Sequence, residues 1–348
     1  MENKNLRSTR MRYALILIIL VGIILTSLAL INTIGPDSNK NQLKDNHFIS
    51  NTISVGSFPV GISVNPSTNV IYVTNNQSGT VSVIDGETSS IIKTIKVGNG
   101  PAGISVNTNT NMIYVANYYS DTVSIIDGKA HDVIDEIFVG DTPWGIIADS
   151  ENNFIYTTNY FSNSISIIDG IKNNVVSTVK TDKPWGIDVN SNTGQVYVAN
   201  RESVNITMLK GGINNVIEEI QISDTQHKIS PLNVSYNENT DLLYVVNSSL
   251  INVINGSTNN VLETIPVGMN LVGLSINPNT NLIYASDIMS DVLYVIDGMN
   301  NEILEVVKVG DHPIAVDINP ETDTIYVVNE YSNSISVIIS QTKLLDDV

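Results

Sequence analysis

A tyrosine that opens a tetrapeptide ending in asparagine recurs at regular intervals along this chain of 348 residues. The tetrapeptide most often reads Tyr-Val-Ala-Asn or Tyr-Val-Val-Asn, and successive tyrosines are 42, 42, 41, 47, 40 and 42 residues apart. Intervals of this length are typical of propeller blades and exceed those of leucine-rich or tetratricopeptide repeats. The seven tyrosines are Tyr72, Tyr114, Tyr156, Tyr197, Tyr244, Tyr284 and Tyr326.

Each repeat contains four short strand signals. In the first repeat they lie at residues 60–65, 70–74, 80–85 and 91–97, which are rich in Val, Ile, Thr and Tyr and are bounded by Gly, Pro, Asn or Ser. Dipeptides such as Asp85-Gly86 follow the third signal and suit tight turns. The sequence therefore predicts an all-β fold, a seven-bladed β-propeller of four-stranded blades.

The two ends of the repeat region predict how the ring closes. The seventh repeat has no outer-strand signal after residue 340, whereas residues 49–55 match residues 91–97 at an offset of 42. We expect residues 49–55 to pair with residues 334–339, so that the N-terminal strand completes the last blade and no long sheet edge remains. The propeller is predicted to span residues 48–340, followed by a short tail at 341–348.

The N-terminus predicts export. Residues 13–34 carry no charge and would span about 33 Å as a helix. Four basic residues precede them within residues 1–12, which places that segment in the cytoplasm and the propeller outside. Residues 35–47 form a polar tether. We expect a single-pass signal anchor in the cell membrane; the alternative is a secreted protein, cleaved near Ser27-Leu28-Ala29.

Composition restricts the classes of partner. Lys and Arg total 17 against 35 Asp and Glu, a net charge of −18, so nucleic acid is not an expected partner. Cysteine is absent, which excludes disulfides and thiolate metal sites. Exported proteins can carry N-linked glycans, and the Asn-x-Ser/Thr sequons are Asn76, Asn205, Asn233, Asn247 and Asn255.

Two sets of loops in a propeller share the face around the mouth of the central channel: those from outer to next inner strand and those from second to third strand. Both tryptophans, in neighbouring repeats, fall on this face with several aromatic and charged residues. Aromatic faces on a rigid rim suit a planar or apolar ligand, although packing between blades is an equally good reading of the tryptophans. The candidate binding residues are Trp144, Trp185, Tyr118, Tyr119, Tyr160, Phe161, Arg201, Glu202, Asp287, His312, Glu330 and Tyr331.

Two other features concern the same face. The loop before Pro231 is expanded at residues 224–229, and the loop that follows Asn247 is shortened. The asparagine that ends each tetrapeptide is predicted to bond to the backbone two residues further on, as turn residues do. Asp287 replaces it in the sixth repeat, where its carboxylate could pair with Arg201 or a cation.

Groups for catalysis are scarce. The histidines are His47, assigned to the tether, His131, expected on the opposite face, His227 and His312. No metal, cofactor or catalytic residue is predicted, and no pairing of a histidine with an acid is evident from the sequence. A hydrolase or lyase active at the channel mouth remains the alternative, with Glu202, Asp287, His312 and Glu330 and a divalent cation.

The repeats closely resemble the YVTN family of β-propeller repeats. The match lies in segments such as residues 71–75, 113–117 and 325–329, each preceded by a Pro-x-Gly-Ile variant and followed by a Val-Ser-Val-Ile-Asp-Gly variant. The resemblance implies an exported propeller of the archaeal surface-layer or bacterial exported type and brings no catalytic residues. We therefore expect a non-enzymatic, membrane-anchored module at the cell surface, which binds or supports a glycan, a peptide or an envelope protein. Related seven-bladed propellers include lactonases, the model for the enzymatic alternative.

Overall fold

The protein is a seven-bladed β-propeller whose blades are four-stranded antiparallel sheets. The computed structural model describes residues 46–212, 217–222 and 230–341. Within those ranges, no helix has both the length and the apolar character needed to cross a membrane. The predicted cytoplasmic segment, membrane anchor and most of the tether lie outside the described residues, as do the expanded loop at 224–229 with His227 and the tail after residue 341.

The strands follow the predicted repeat closely. Each of the first six blades consists of four consecutive strands, numbered from the channel outward. Blades 1 to 3 comprise β2 (Pro59–Asn65), β3 (Val70–Asn75), β4 (Thr80–Asp85) and β5 (Ser90–Lys96); β6 (Pro101–Asn107), β7 (Met112–Asn117), β8 (Thr122–Asp127) and β9 (Asp132–Phe138); β10 (Pro143–Asp149), β11 (Phe154–Asn159), β12 (Ser164–Asp169) and β13 (Asn174–Lys180). Blades 4 to 6 comprise β14 (Pro184–Asn190), β15 (Gln195–Asn200), β16 (Asn205–Lys210) and β17 (Ile217–Gln221); β18 (Asn233–Asn237), β19 (Leu242–Asn247), β20 (Leu250–Asn255) and β21 (Val261–Pro266); β22 (Leu271–Asn277), β23 (Leu282–Asp287), β24 (Val292–Asp297) and β25 (Glu302–Lys308).

Blade 7 joins the two ends of the propeller, as predicted. Its strands are β26 (Pro313–Asn319), β27 (Thr324–Asn329), β28 (Ser334–Ser340) and β1 (His47–Ser54), and β1 pairs antiparallel with β28. The assignment of His47 to the tether was wrong, because His47 is the first residue of β1 and is buried. Its backbone N–H and its Nδ1 lie 2.8 and 3.1 Å from Oε2 of Glu305, so the start of β1 is fastened to blade 6.

The hydrophobic core lies between the blades rather than within them. Each tyrosine of the tetrapeptide is buried against apolar residues of the next blade, as Tyr72 is against Ile113 and Val115 of blade 2. Burial raises the pKa of Tyr72 to about 12, so the phenol stays neutral. Repetition of the tyrosine therefore repeats one packing contact around the ring.

The asparagines that end the tetrapeptides do not act in their own turns, and that prediction was wrong. Asn117 is fully buried, and its Nδ2 donates to Oγ1 of Thr122 at 3.1 Å and to Oγ of Ser124 at 2.9 Å, both on the third strand of the blade. Buried N–H groups require acceptors, and the hydroxyls of the third strand supply them for the amide nitrogen. The same bonds to two third-strand hydroxyls occur at Asn75, Asn159 and Asn329.

The Pro-x-Gly pattern of the inner strands has a steric cause. A Cβ atom added to Gly145 would come within 3.0 Å of the carbonyl oxygen of Trp185 in the next blade. Glycine thus lets neighbouring inner strands approach closely around the channel. Thr158 fastens the same junction, because its Oγ1 accepts from the N–H of Gly145 and donates to the carbonyl of Trp185, each at 2.8 Å.

Candidate functional site

The loops of the channel-mouth face are joined in pairs within blades 1, 2, 3, 4 and 7, whose inner strands each begin with a proline. The residue after the tetrapeptide donates its backbone N–H to the carbonyl of the residue before the inner-strand proline. Arg201 is bonded in this way to Lys183 at 2.9 Å, and Glu330 to His312 at 3.0 Å. This backbone bond places Lys183 beside Arg201 and His312 beside Glu330, although about 18 residues separate the members of each pair.

The residues before these prolines adopt a left-handed backbone. Lys183 and His312 have φ angles of 42° and 57°, a conformation that non-glycine residues adopt rarely. A side chain of the preceding blade holds each of them, since Oδ1 of Asn163 accepts from the N–H of Lys183 and Oδ1 of Asp291 from that of His312. Phe58 and Thr142 hold the same position in blades 1 and 3 with φ angles of 58° and 61°, so this conformation belongs to the repeat.

Six aromatic residues from blades 2, 3 and 4 form one cluster on this face, which we call the aromatic cluster. The rings of Trp144 and Trp185 are stacked with centroids 4.0 Å apart. Tyr118 packs edge-on against Trp144 at 5.8 Å, and Tyr160 packs in the same way against Trp185 at 5.3 Å. Both tryptophans are half-buried and line the channel, so packing between blades accounts for part of each ring. The members are Tyr118, Tyr119, Trp144, Tyr160, Phe161 and Trp185.

Two cations lie over the aromatic cluster. The Cζ atom of Arg201 is 4.4 Å from the centroid of the Trp185 ring. The Nζ atom of Lys183 is 4.8 Å from the Tyr160 centroid and 5.6 Å from that of Phe161. Cations at these distances from ring faces are attracted by the ring quadrupole. The cluster is therefore a set of aromatic rings under two positive charges, on a protein that is acidic as a whole.

Glu202 belongs to the same site. The hydroxyl of Tyr160 donates to Oε1 of Glu202 at 2.6 Å, and this bond, with burial and the charge of Glu202, raises the pKa of Tyr160. Because its carboxylate accepts this bond, Glu202 is tied to the aromatic cluster rather than to Arg201.

Three remaining candidates, His312, Glu330 and Tyr331, lie in blade 7. With Phe58 of blade 1, which was not a predicted site residue, they form what we call the histidine sector. The Nδ1 atom of His312 is 2.6 Å from Oε2 of Glu330, and the two side chains are 21% and 7% exposed. Burial raises the pKa of Glu330, and the nearby His312 offsets part of that shift. His312 also stacks on Tyr331 at 4.1 Å, and Tyr331 lies 5.9 Å from Phe58. Sequence reasoning detected no pairing of a histidine with an acid, but the fold creates one.

Asp287 takes no part in either group. It is buried, and its two carboxylate oxygens accept four backbone N–H groups from residues 269, 270, 289 and 290. Burial tends to raise the pKa of Asp287, but the four donors outweigh it and lower the pKa. The suggested pairing with Arg201 or a cation is therefore wrong, because these bonds occupy the carboxylate. Among the described residues, no three His, Asp or Glu side chains are grouped in a way that could hold a metal ion.

The central channel encloses about 290 Å³ and contains two carboxylates. Asp188 in blade 4 and Asp317 in blade 7 occupy equivalent positions of their inner strands, where Ser63 and Ser105 stand in blades 1 and 2. Each accepts a backbone N–H of the next blade at 2.8 Å, from Tyr236 and Val64 respectively. Burial raises the pKa of Asp188 to about 7 and that of Asp317 to about 6. Sequence reasoning missed both residues.

The tips of the second-to-third-strand loops expose large apolar side chains. Tyr119, Phe161, Met289 and Tyr331 occupy equivalent positions in blades 2, 3, 6 and 7, and they are 70%, 60%, 71% and 60% exposed. Single exposed apolar residues are normal, but repetition at the loop tips of one face is typical of an interaction surface. Met289 was not among the predicted site residues, nor was Lys183. Their signal in the sequence is their repeat position, next to the predicted residues.

The sequons differ in how accessible their amides are. Asn247 is buried and its Nδ2 donates to Asn252 at 2.6 Å, so the folded propeller does not present this asparagine for glycosylation. The other sequon asparagines are half-buried, and glycosylation there stays a prediction.

The fold and the site together define the class of the protein: a seven-bladed β-propeller with an aromatic, cation-capped cluster at the mouth of its channel. No family model matches the chain, and no curated protein matches it. Among solved structures, the Kuenenia stuttgartiensis hydrazine synthase is similar, with a TM-score of 0.72 and 17% sequence identity over 88% of this chain and 99% of that one. At this identity the likeness supports the propeller fold alone.

Proposed function

We propose that this protein is a non-enzymatic binding module that engages a protein of the cell envelope through its channel-mouth face. The observation that carries the proposal is the aromatic cluster, in which the exposed rings of Tyr119 and Phe161 continue into half-buried Trp144 and Trp185. Because packing already restricts these rings, the aromatic cluster can offer a large apolar area to a partner with little loss of side-chain entropy on binding.

The composition of the face favours a protein partner over a glycan. The cores of protein interfaces are enriched in Tyr, Trp, Phe, Met and Arg, and the residues that contribute most to binding are enriched in Trp, Tyr and Arg. Tyr119, Phe161, Met289 and Arg201 match that composition. A sugar would need an uncovered aromatic face in a groove, whereas here Trp144 covers one face of Trp185.

The remaining parts of the proposal concern location. The uncharged segment 13–34 after four basic residues supports a single-pass membrane anchor with the propeller outside the cell, tethered by residues 35–46. The tetrapeptide repeats support a relationship to the exported YVTN propellers. In this proposal the protein holds its partner at the cell surface.

Site-specific photocrosslinking tests the proposed face. A benzoylphenylalanine replaces Phe161 in the full chain, expressed in the cells that make it, and a second variant carries the same probe at Ile171. Ile171 is a matched control because it is 83% exposed and follows an Asp-Gly turn on the opposite face. We expect one discrete protein adduct from position 161 and none from position 171.

Two results would contradict the proposal. Adducts of the same pattern from both positions would show non-selective contact. An adduct at position 161 that survives Tyr119→Ala and Trp144→Ala unchanged would show that the aromatic cluster is not what binds. Far-ultraviolet circular dichroism of both variants checks that the propeller is intact.

One observation favours a second candidate, a hydrolase or lyase active at the channel mouth. His312 is held by Glu330 with part of its ring open to solvent, an arrangement suited to proton transfer. A panel of lactone and ester substrates tests it, with His312→Gln as the matched variant. Turnover that is lost in His312→Gln would replace the binding proposal.

A further inference from the structure

Arg201 stands out by its rarity and its placement. The chain has four arginines, and three of them lie within the first twelve residues, so Arg201 is the one arginine in the propeller sequence. Its guanidinium lies over Trp185, whose other face is stacked on Trp144. The propeller's single arginine is thus built into the aromatic cluster.

The stacking leaves the hydrogen-bonding capacity of Arg201 unused. A guanidinium carries its five N–H donors in its own plane, so contact through its face occupies none of them. Among the residues that the structure describes, no side-chain N–H of Arg201 has an acceptor within hydrogen-bond distance and no carboxylate lies within ion-pair distance. The donors are oriented by the indole ring and remain free.

Lys183 adds a second cation with the same property. Its ammonium group lies over Tyr160 and Phe161 and makes no ion pair with a described residue. The nearby Glu202 makes no ion pair with either cation, and its carboxylate accepts from the hydroxyl of Tyr160. Two cations lie over the aromatic rings against the one carboxylate of Glu202, and neither makes an ion pair with a described residue, so the site favours an anionic group on whatever covers it.

We infer that Arg201 and Lys183 receive a carboxylate of the partner, from an acidic side chain that lies next to an aromatic residue which packs on Phe161 and Tyr119. This inference rests on the proposed function and names the chemistry that the aromatic cluster recognises. A carboxylate fits because its two oxygens match the donor edge of a guanidinium. The aromatic neighbour fits because the tips of Tyr119 and Phe161 are exposed.

The protein contains its own probe for the test. It has two tryptophans, Trp144 and Trp185, and both lie in the aromatic cluster, so intrinsic fluorescence reports on this site alone. The purified full chain is titrated with the dipeptide N-acetyl-Phe-Glu-amide and, separately, with N-acetyl-Phe-Gln-amide, which has the same shape and no charge. We expect the acidic dipeptide to bind about tenfold more tightly, with an advantage that shrinks as salt is added.

Variants locate the effect. Arg201→Gln is expected to remove most of the difference between the dipeptides and to leave the part due to Lys183, whereas Arg201→Lys should retain more of it, because an ammonium keeps the charge without the bidentate edge. Ile288→Ala is the control, since Ile288 occupies the position of Arg201 in blade 6, away from the aromatic cluster. An unchanged far-ultraviolet circular dichroism spectrum in each variant shows that the propeller is intact, since loss of the guanidinium over Trp185 can shift the emission maximum by itself.

Three results would overturn the inference. They are equal binding of the two dipeptides, no saturable change with either, and tighter binding of glucuronate than of the acidic dipeptide, which would indicate an acidic sugar. If the crosslink at position 161 still forms, such a result refutes the binding of a partner carboxylate and does not contradict the proposed function. If the crosslink also fails, the proposed function falls with it.

Discussion

The carboxylate of Asp188 should make the propeller less stable as the pH rises from 4 to 7. Its oxygens accept the N–H groups of Val189 and Tyr236 at 2.8 Å each, and the like charges of Glu238 and Asp317 add to the effect of burial. Burial, with a smaller contribution from these like charges, outweighs the two N–H donors, which lower the pKa, and raises the pKa of Asp188 from 3.8 to about 7. An acid with a raised pKa in the folded state stabilises the fold fully below its unfolded pKa, and this contribution is lost as the pH rises through the folded pKa.

The size of the effect follows from the two pKa values. At ~1.4 kcal/mol per pKa unit, ionisation of Asp188 would cost at most about 4 kcal/mol of the free energy of unfolding. Asp188 lines the channel and is partly exposed to it, and water there screens the charge. We therefore expect a loss of about 2 kcal/mol between pH 4 and pH 8.

The chain itself supplies the substitution that isolates this effect. Ser63 and Ser105 hold the equivalent position in blades 1 and 2, and their hydroxyls accept the N–H groups of Val106 and Ala148. Asp188→Ser thus keeps an acceptor and removes the charge. Urea denaturation, followed by tryptophan fluorescence, should show Asp188→Ser about 2 kcal/mol more stable than the wild type at pH 8, and no more stable at pH 4.

Asp85 provides a control, because its carboxylate should stabilise the fold at high pH rather than at low pH. Hydrogen bonds from the backbone and side chain of Thr88 lower the pKa of Asp85, so its contribution is present at pH 8 and lost as the pH falls below its usual range. Asp85→Ser should therefore be less stable than the wild type at pH 8. If Asp188→Ser follows the wild-type pH dependence, or is less stable at pH 8, the raised pKa assigned to Asp188 is wrong.

Three further changes test the fold. Gly145→Ala should destabilise the propeller by about 1–3 kcal/mol, measured by urea denaturation, because the new methyl group meets the carbonyl of Trp185; a neutral effect would show that the strands can move apart. Asn117→Ala should cost about 1–3 kcal/mol by the same measurement, because it leaves the hydroxyl of Ser124 without its buried donor, and no loss would mean that water replaces the amide. Deletion of β1 should expose the edge of the seventh blade and shift the protein to aggregates in gel filtration, whereas an elution volume like that of the wild type would show that the ring does not need closure.

The fold could be predicted from the sequence because the same pattern of strand signals recurs in every repeat. A single strand signal is ambiguous, but the tyrosine recurs at a nearly constant interval, and the offset of 42 residues identified β1 as the missing strand of blade 7. The start of β1 was placed two residues late, since the contact that buries His47 comes from Glu305 on another blade. This contact between His47 and Glu305 has no signature in the local sequence.

The candidate site was predictable in position and less so in chemistry. The loops that share the channel-mouth face follow from topology, so the neighbourhood of Trp144 and Trp185 could be foreseen. The pairing of His312 with Glu330 could not, because a backbone bond between two loops creates it. Asp287 shows the converse: a carboxylate that looks reactive in the sequence is occupied by four backbone donors in the fold.

The closure of blade 7 sets the order in which the molecule can be completed. Ser50 of β1 bonds to the carbonyl of Val337, 287 positions along the chain. Bringing together residues so far apart carries a large entropic cost, which nearby contacts must offset first. During synthesis β1 is the first strand of the propeller to emerge from the ribosome, yet its partner β28 is the last. The first strand of the propeller therefore cannot pair with β28 until the six intervening blades have been synthesised.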